Sequence, residues 1–210
     1  MRPSIRNHSN KHYRRLFSLE GKTAFITGGT GFLGSYFARG LAEYGANIIL
    51  ADTDQPRLNT SARSLMDEFD IKAVGIKCDV SDPKSVHAAV RKAIKEMGSI
   101  EVLLNNAASK SKQTAAFYKK DEDYSLERWR EIMSVNLDGM FLVAQAVAKE
   151  MLNRGTRGSI IQTASIYGLM APDQRIYAGS PINTPAVYTA SKAGVIGLPK
   201  HFATLWAERG

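Results

Sequence analysis

From residue 22 onward the chain alternates short apolar runs with stretches in which apolar residues recur every three or four positions. Five runs, 23–26, 47–51, 72–76, 100–104 and 159–163, are too short for helices and rich in Ile, Val or Leu, so they read as strands. Helical spacing fills 32–44, 57–69, 125–153 and 186–208. Another helix is delimited more closely: Asp82 supplies a cap and Pro83 a first-turn proline, Val86, Val90, Ala93, Ile94 and Met97 share a face, and Gly98 stops it. Residues 107–124 read as a long loop, and no internal repeat is present. Strands separated by helices pair in parallel through right-handed crossovers. The expected fold class is α/β, a doubly wound parallel sheet covered on both faces.

Composition narrows the class further. With 44% hydrophobic and 23% charged side chains, 210 residues suit one globular domain. The longest apolar stretch, 139–148, is interrupted by Gln145 and closed by Lys149, too short for a membrane span. Cys78 is a lone cysteine and the basic start lacks the apolar stretch of a signal peptide, so the expected location is cytoplasmic. The net charge of +8 is concentrated early: Arg2, Arg6, Lys11, Arg14 and Arg15 all precede Glu20. Residues 1–17 therefore read as a basic flexible tail ahead of one folded domain over 18–210. A second cluster, Lys110, Lys112, Lys119 and Lys120, is followed by Asp121, Glu122 and Asp123 and reads as a solvated loop. Neither a nucleic acid nor a membrane is expected as a partner.

The first strand runs into Thr27, Gly28, Gly29, Thr30, Gly31, Phe32, Leu33 and Gly34, then a helix. Glycines there let the backbone turn and approach a pyrophosphate, met by free amides and the positive helix end, as in a Rossmann-type sheet. Asp52 closes the second strand eighteen positions after Gly34, where a carboxylate can accept from ribose hydroxyls and repel a 2'-phosphate. NAD is accordingly favoured over NADP, although Arg57 offers a partial offset and Asp52 could instead cap a helix. After the third strand, Asp79 with Val80 suits either a contact to the adenine amino group or an Asx turn. After the fourth, Asn105, Asn106 and Ala107 should face the glycine loop across the crevice. Tyr188 and Lys192 stand four apart on a helix and share a face. Two unit charges roughly 4 Å apart at an effective dielectric of about 20 attract by about 4 kcal/mol, so the ammonium favours the phenolate and suits the pair to acid/base work.

In this order and on these elements, the motifs resemble the short-chain dehydrogenase/reductase family over about residues 18 to 210. They are Thr27 to Gly34, Asn105 to Ala107, Asn136 in the long helix, Ser165 after the fifth strand, and Tyr188 with Lys192. The resemblance implies an NAD-dependent oxidoreductase acting on a small-molecule secondary alcohol or ketone. It implies that Tyr188 exchanges a proton with the substrate oxygen, that Ser165 bonds that oxygen, that Lys192 assists Tyr188 and holds the nicotinamide ribose, and that Asn136 positions Lys192 through water.

Departures from the family pattern qualify the picture. The glycine spacing resembles the branch that modifies sugar nucleotides, whereas Asn105 to Ala107 resembles the shorter dehydrogenases, and Ala108 stands where a glycine is usual. Ser165 and Tyr188 lie 23 positions apart, further than is usual, and the extra segment 170–185 holds Pro172, Gly179, Pro181 and Pro185, so it cannot be one regular element. It lies beside the presumed crevice, where Arg175 could pair with an anionic substrate. Similar long segments occur in family members linked to bacterial surface-sugar and flagellin-glycan synthesis, which points to a sugar-derived substrate. Family members also continue into further strands and a lid, so the resemblance implies a chain lacking the last strands. An exposed sheet edge would then favour a homo-oligomer. Two alternatives stay open: a sugar-nucleotide epimerase or dehydratase with recycled NAD, and an inactive cofactor-binding fragment.

Overall fold

The computed structural model describes residues 16–111 and 114–210. The tail reading thus lies outside the described residues except at Leu16 and Phe17, and Lys112 of the second basic cluster lies outside them too.

Five strands, β1 (Thr23–Thr27), β2 (Asn47–Asp52), β3 (Ala73–Lys77), β4 (Val102–Asn105) and β5 (Ser159–Gln162), form a single parallel sheet in the order β3-β2-β1-β4-β5. Each lies within two residues of the run that predicted it. Successive side chains of β1 feed opposite faces. Phe25 packs with Ile49, Val86, Leu103 and Val143 on one side, while Ala24 and Ile26 pack with Ile48, Leu50 and Leu58 on the other. Both faces are dry, which explains why the central strands read as unbroken apolar runs.

The helices are α1 (Phe32–Glu43), α2 (Gln55–Glu68), α3 (Pro83–Met97), α4 (Leu126–Met133), α5 (Gly139–Arg154) and α6 (Ala186–Trp206). Their starts follow side-chain chemistry. Asp54 accepts from the Arg57 amide, Asp82 from that of Lys84 and Ser125 from that of Arg128, so each cap satisfies an otherwise orphan donor. The segment expected as one helix over 125–153 is instead two, joined by a π turn at Ser134–Asp138. The wider turn brings Asn136 inward against the loop after β4 and lets Gly139 pass close to Val80, where a Cβ would lie 2.8 Å from Val80 Cγ2. No helix among the described residues is long and apolar enough to cross a membrane.

Two irregular segments flank α6. The loop after β4 contains a helical turn at Thr114–Phe117 and a 3-10 turn at Asp121–Asp123. The segment 170–185 contains one 3-10 turn, Gln174–Tyr177, begun by Asp173. The two are tied together, because the Asn183 side-chain amide donates to Lys119 O (3.4 Å) and the Ala186 amide donates to Asp121 Oδ1 (3.0 Å). Pro185 offers no capping side chain, so a carboxylate from the other loop caps α6.

Candidate active site

The loops leaving β1 and β4 diverge at the point where the sheet changes direction, and a cleft of ≈ 890 Å³ opens there. On one wall lie Gly28, Gly31, Phe32 and Leu33 of the glycine loop, with Asp52 and Arg57 beside them. Asp79 and Val80 come from the end of β3, and Asn106 and Ala107 from the end of β4. Gly28 has φ +62 and a Cβ there would lie 3.0 Å from Ala107 Cα, so the turn between the two loops requires glycine. Gly34 is buried in the first turn of α1, where a Cβ would collide with Gly28 O; it supports the loop from behind instead of lining the cleft. Gly31 heads α1 without a side-chain cap, which leaves first-turn amides available to an anion.

Thr27 and Asn105, both expected to touch the cofactor, are withdrawn beneath the cleft. Thr27 Oγ1 donates to Asn105 Oδ1 (3.0 Å) and accepts from the amides of Asn106 (2.9 Å) and Ala107 (3.0 Å). Asn105 is 1% exposed, and its amide donates to Met140 O (2.7 Å) and Gln162 Oε1 (3.2 Å). Their polar atoms are consumed in stitching β1, β4, β5 and α5 together. That is where the structure departs from the sequence reading, because buried donors and acceptors find protein partners first.

Asp52 does not cap a helix; Asp54 has that task. Asp52 Oδ2 accepts from the Thr30 amide (3.1 Å) and hydroxyl (2.6 Å), and Oδ1 accepts from the Thr53 amide (2.8 Å). Arg57 donates to Thr30 O (2.7 Å), so both charged side chains shape the glycine loop. A carboxylate has about four acceptor positions, which leaves Asp52 with capacity toward the cleft. Asp79 forms the Asx turn, accepting from the Ser81 amide (3.0 Å) and hydroxyl (2.6 Å) through Oδ1.

The second half of the site is built on α6. Lys192 is 3% exposed, its Nζ donates to Thr163 O just beyond β5 (2.7 Å), and it lies 5.9 Å from the Tyr188 ring centroid. Burial pushes its pKa below the usual lysine value. The expected close ammonium–phenol pair is therefore modified: the end of β5 anchors the ammonium beside the ring. Tyr188 is half-buried, edge-on to Phe117 at 6.4 Å. Ser165 begins the 3-10 turn Ile166–Gly168, where its Oγ accepts from the Tyr167 amide (3.2 Å). Gly168 packs that turn on α6, since a Cβ there would lie 2.6 Å from Lys192 O.

A profile of the short chain dehydrogenase family matches residues 22–210. The chain belongs to that family. It is 35% identical to gluconate 5-dehydrogenase of Gluconobacter oxydans over 195 residues, covering 93% of this chain and 69% of that one. It is 34% identical to D-threitol dehydrogenase of Mycolicibacterium smegmatis, covering 92% and 68%. Among solved structures, an NAD+-bound xylitol dehydrogenase superimposes with a TM-score of 0.80 at 27% identity, covering 91% of this chain and 67% of that one.

In this short-chain dehydrogenase the side chain of Asn136, expected to act on Lys192 through water, meets the loop after β4. It is buried in the π turn, where Oδ1 accepts from the Ser109 amide (2.7 Å) and Nδ2 donates to Ser109 O (3.3 Å). A closer backbone partner absorbs its side chain, and Asn136 thereby holds the wall of the cleft against the helix. Arg175 has a partner of its own. Its guanidinium pairs with both oxygens of Asp173 (2.9 and 2.8 Å) and is 91% exposed. Sequence reasoning missed Tyr167, Gly168 and Asp121. Gly168 and Asp121 act through backbone proximity, which no spacing rule detects; the hydroxyls clustered between Ser165 and Tyr188 were a readable signal.

Proposed function

We propose that this dehydrogenase transfers a hydride between NAD and the secondary carbinol or carbonyl carbon of a polyhydroxylated, sugar-derived substrate. The observation that carries this reading is the buried Lys192 ammonium, anchored on Thr163 O beside the Tyr188 ring and under the turn begun by Ser165. The cleft fits a dinucleotide: its glycine turn excludes a Cβ, the first-turn amides of α1 suit a pyrophosphate, and the carboxylate of Asp52 suits ribose hydroxyls while repelling a 2'-phosphate. When bound, NAD supplies the hydride acceptor or donor.

The side chains supply orientation and proton chemistry. Tyr188 takes the proton from a substrate hydroxyl, or returns it to a carbonyl oxygen. Lys192 favours the phenolate by its charge. Ser165 Oγ accepts from a backbone amide, so its own proton is available to donate to the substrate oxygen. Asn136 keeps the loop after β4 in place. The sugar and polyol names of the relatives support a sugar-derived substrate, and the long segment between Ser165 and Tyr188 is in keeping with it.

The test is NADH formation by the purified protein with gluconate, threitol and xylitol as probes. Tyr188→Phe is expected to lower turnover by about 10²- to 10⁴-fold with NAD affinity retained. A fully active Tyr188→Phe protein sinks the acid/base assignment. Product formed without net NADH would favour the recycled-cofactor chemistry of an epimerase or dehydratase. Calorimetric titration with NAD and NADP addresses cofactor choice: NAD should bind more tightly, and Asp52→Ala should narrow the difference.

A further inference from the structure

Three hydroxyls meet on the stretch of chain that leads from Ser165 to Tyr188. Tyr177, from the turn Gln174–Tyr177, places its hydroxyl 2.7 Å from Thr184 Oγ1 and 3.4 Å from the Tyr167 hydroxyl. Tyr167 lies two residues beyond Ser165, and Thr184 lies four residues before Tyr188. The cluster is therefore bracketed by the two residues assigned to the substrate oxygen. The Tyr167 amide donates to Ser165 Oγ (3.2 Å), which ties this ring's backbone to the proposed substrate-oxygen ligand.

Donor counting shows that the cluster is incomplete. Each hydroxyl carries one proton and two acceptor positions. Three protons serve two contacts, so one proton has no acceptor within the cluster, and these are the only partners of the three hydroxyls among the described residues. The Tyr167–Tyr177 separation is also longer than the ~2.8 Å typical of O–H···O bonds. Both rings are only half-buried, so a solute can reach them. A guest hydroxyl, which donates once and accepts twice, satisfies what the cluster leaves open.

We propose that Tyr177, acting with Tyr167, is a substrate-specificity residue that hydrogen-bonds a second hydroxyl of the substrate, distinct from the one whose proton Tyr188 handles. The inference rests on the polyhydroxylated substrate proposed above and assigns the segment 170–185 its role. Thr184 holds Tyr177 in place, and Asp121 and Asn183 hold the segment against the loop after β4. A mono-alcohol has nothing to offer this pair, whereas a polyol does.

The experiment compares the unmodified protein with Tyr177→Phe, using threitol and xylitol against cyclohexanol as a mono-alcohol probe. Loss of one neutral hydrogen bond should raise KM for the polyols about three- to tenfold and leave cyclohexanol kinetics unchanged. Equal effects on both alcohol classes, or none on polyols, overturn the proposal. Threitol binding to the NAD-loaded protein, followed by ligand-detected NMR, gives a readout independent of turnover. It should weaken by the same factor in Tyr177→Phe, and an unchanged affinity overturns the proposal. An unmodified protein that neither binds nor oxidises any polyol refutes the polyhydroxyl reading itself, and the inference falls with it. Retained NAD affinity in Tyr177→Phe separates a local loss from misfolding.

Discussion

Thr27 places one hydroxyl among three partners, and its isostere Thr27→Val would leave the Asn106 and Ala107 amides and Asn105 Oδ1 unpaired in a buried site. The expected cost is at least about 2 kcal/mol, read by urea unfolding, because each orphaned group forfeits its desolvation. Cys78 offers a pH-dependent counterpart. Burial, opposed by a hydrogen bond with Ser85, pushes its thiol from 9.0 up to about 11. The folded pKa exceeds the unfolded one, so the contribution is complete below pH 9 and is lost as pH rises toward about 11, where the unfolded chain releases the proton first. Cys78→Ala should flatten the decline in stability across that window, as unfolding measured at successive pH values would reveal. At this scale the sequence was legible for residues whose chemistry is rare, Tyr188 and Lys192 above all. It did not show that the side chains of Thr27, Asn105 and Asn136 take protein partners, because an amide or hydroxyl near a cleft looks the same in a string whether it faces the ligand or the core.

Caps and periodicity made the elements readable. Asp82 was read as a cap and accepts the amide that the capping argument requires, whereas the caps at Asp54 and Ser125 emerged only in the structure. The π turn was not readable, since one extra residue in a turn leaves the apolar pattern of 125–153 nearly intact. The start of α6 was legible at 186, but its cap was not, because it comes from Asp121 in another loop. Asp121→Ala should cost about 0.5–2 kcal/mol. Because Tyr188 follows two residues later, the same change should lower kcat more than it raises KM. Asp121→Asn keeps an acceptor oxygen and should restore most of the loss. Steady-state kinetics of the two variants, beside their unfolding curves, distinguishes positioning of the phenol from simple loss of stability.

For the molecule as a whole, alternation of strand and helix was enough to place the sheet and its switch point, whereas the walls above the cleft depended on long-range contacts that carry no periodic signal. Among the described residues, β5 pairs only with β4 and leaves Ser159 and Ile161 exposed. Such an edge invites pairing with another copy. Sedimentation should show association that grows with concentration, and Ile161→Lys should suppress it. The stitched floor of the cleft has a kinetic consequence as well. The amides of Asn106 and Ala107 are held by a buried hydroxyl, so they should exchange with deuterium only on the timescale of global unfolding. The Ala186 amide, held by an exposed carboxylate, should exchange through local opening many times faster. A slow floor beneath fast walls implies an order of events: the nucleotide meets a seat that is already made, and the substrate meets one that is still being shaped when it arrives.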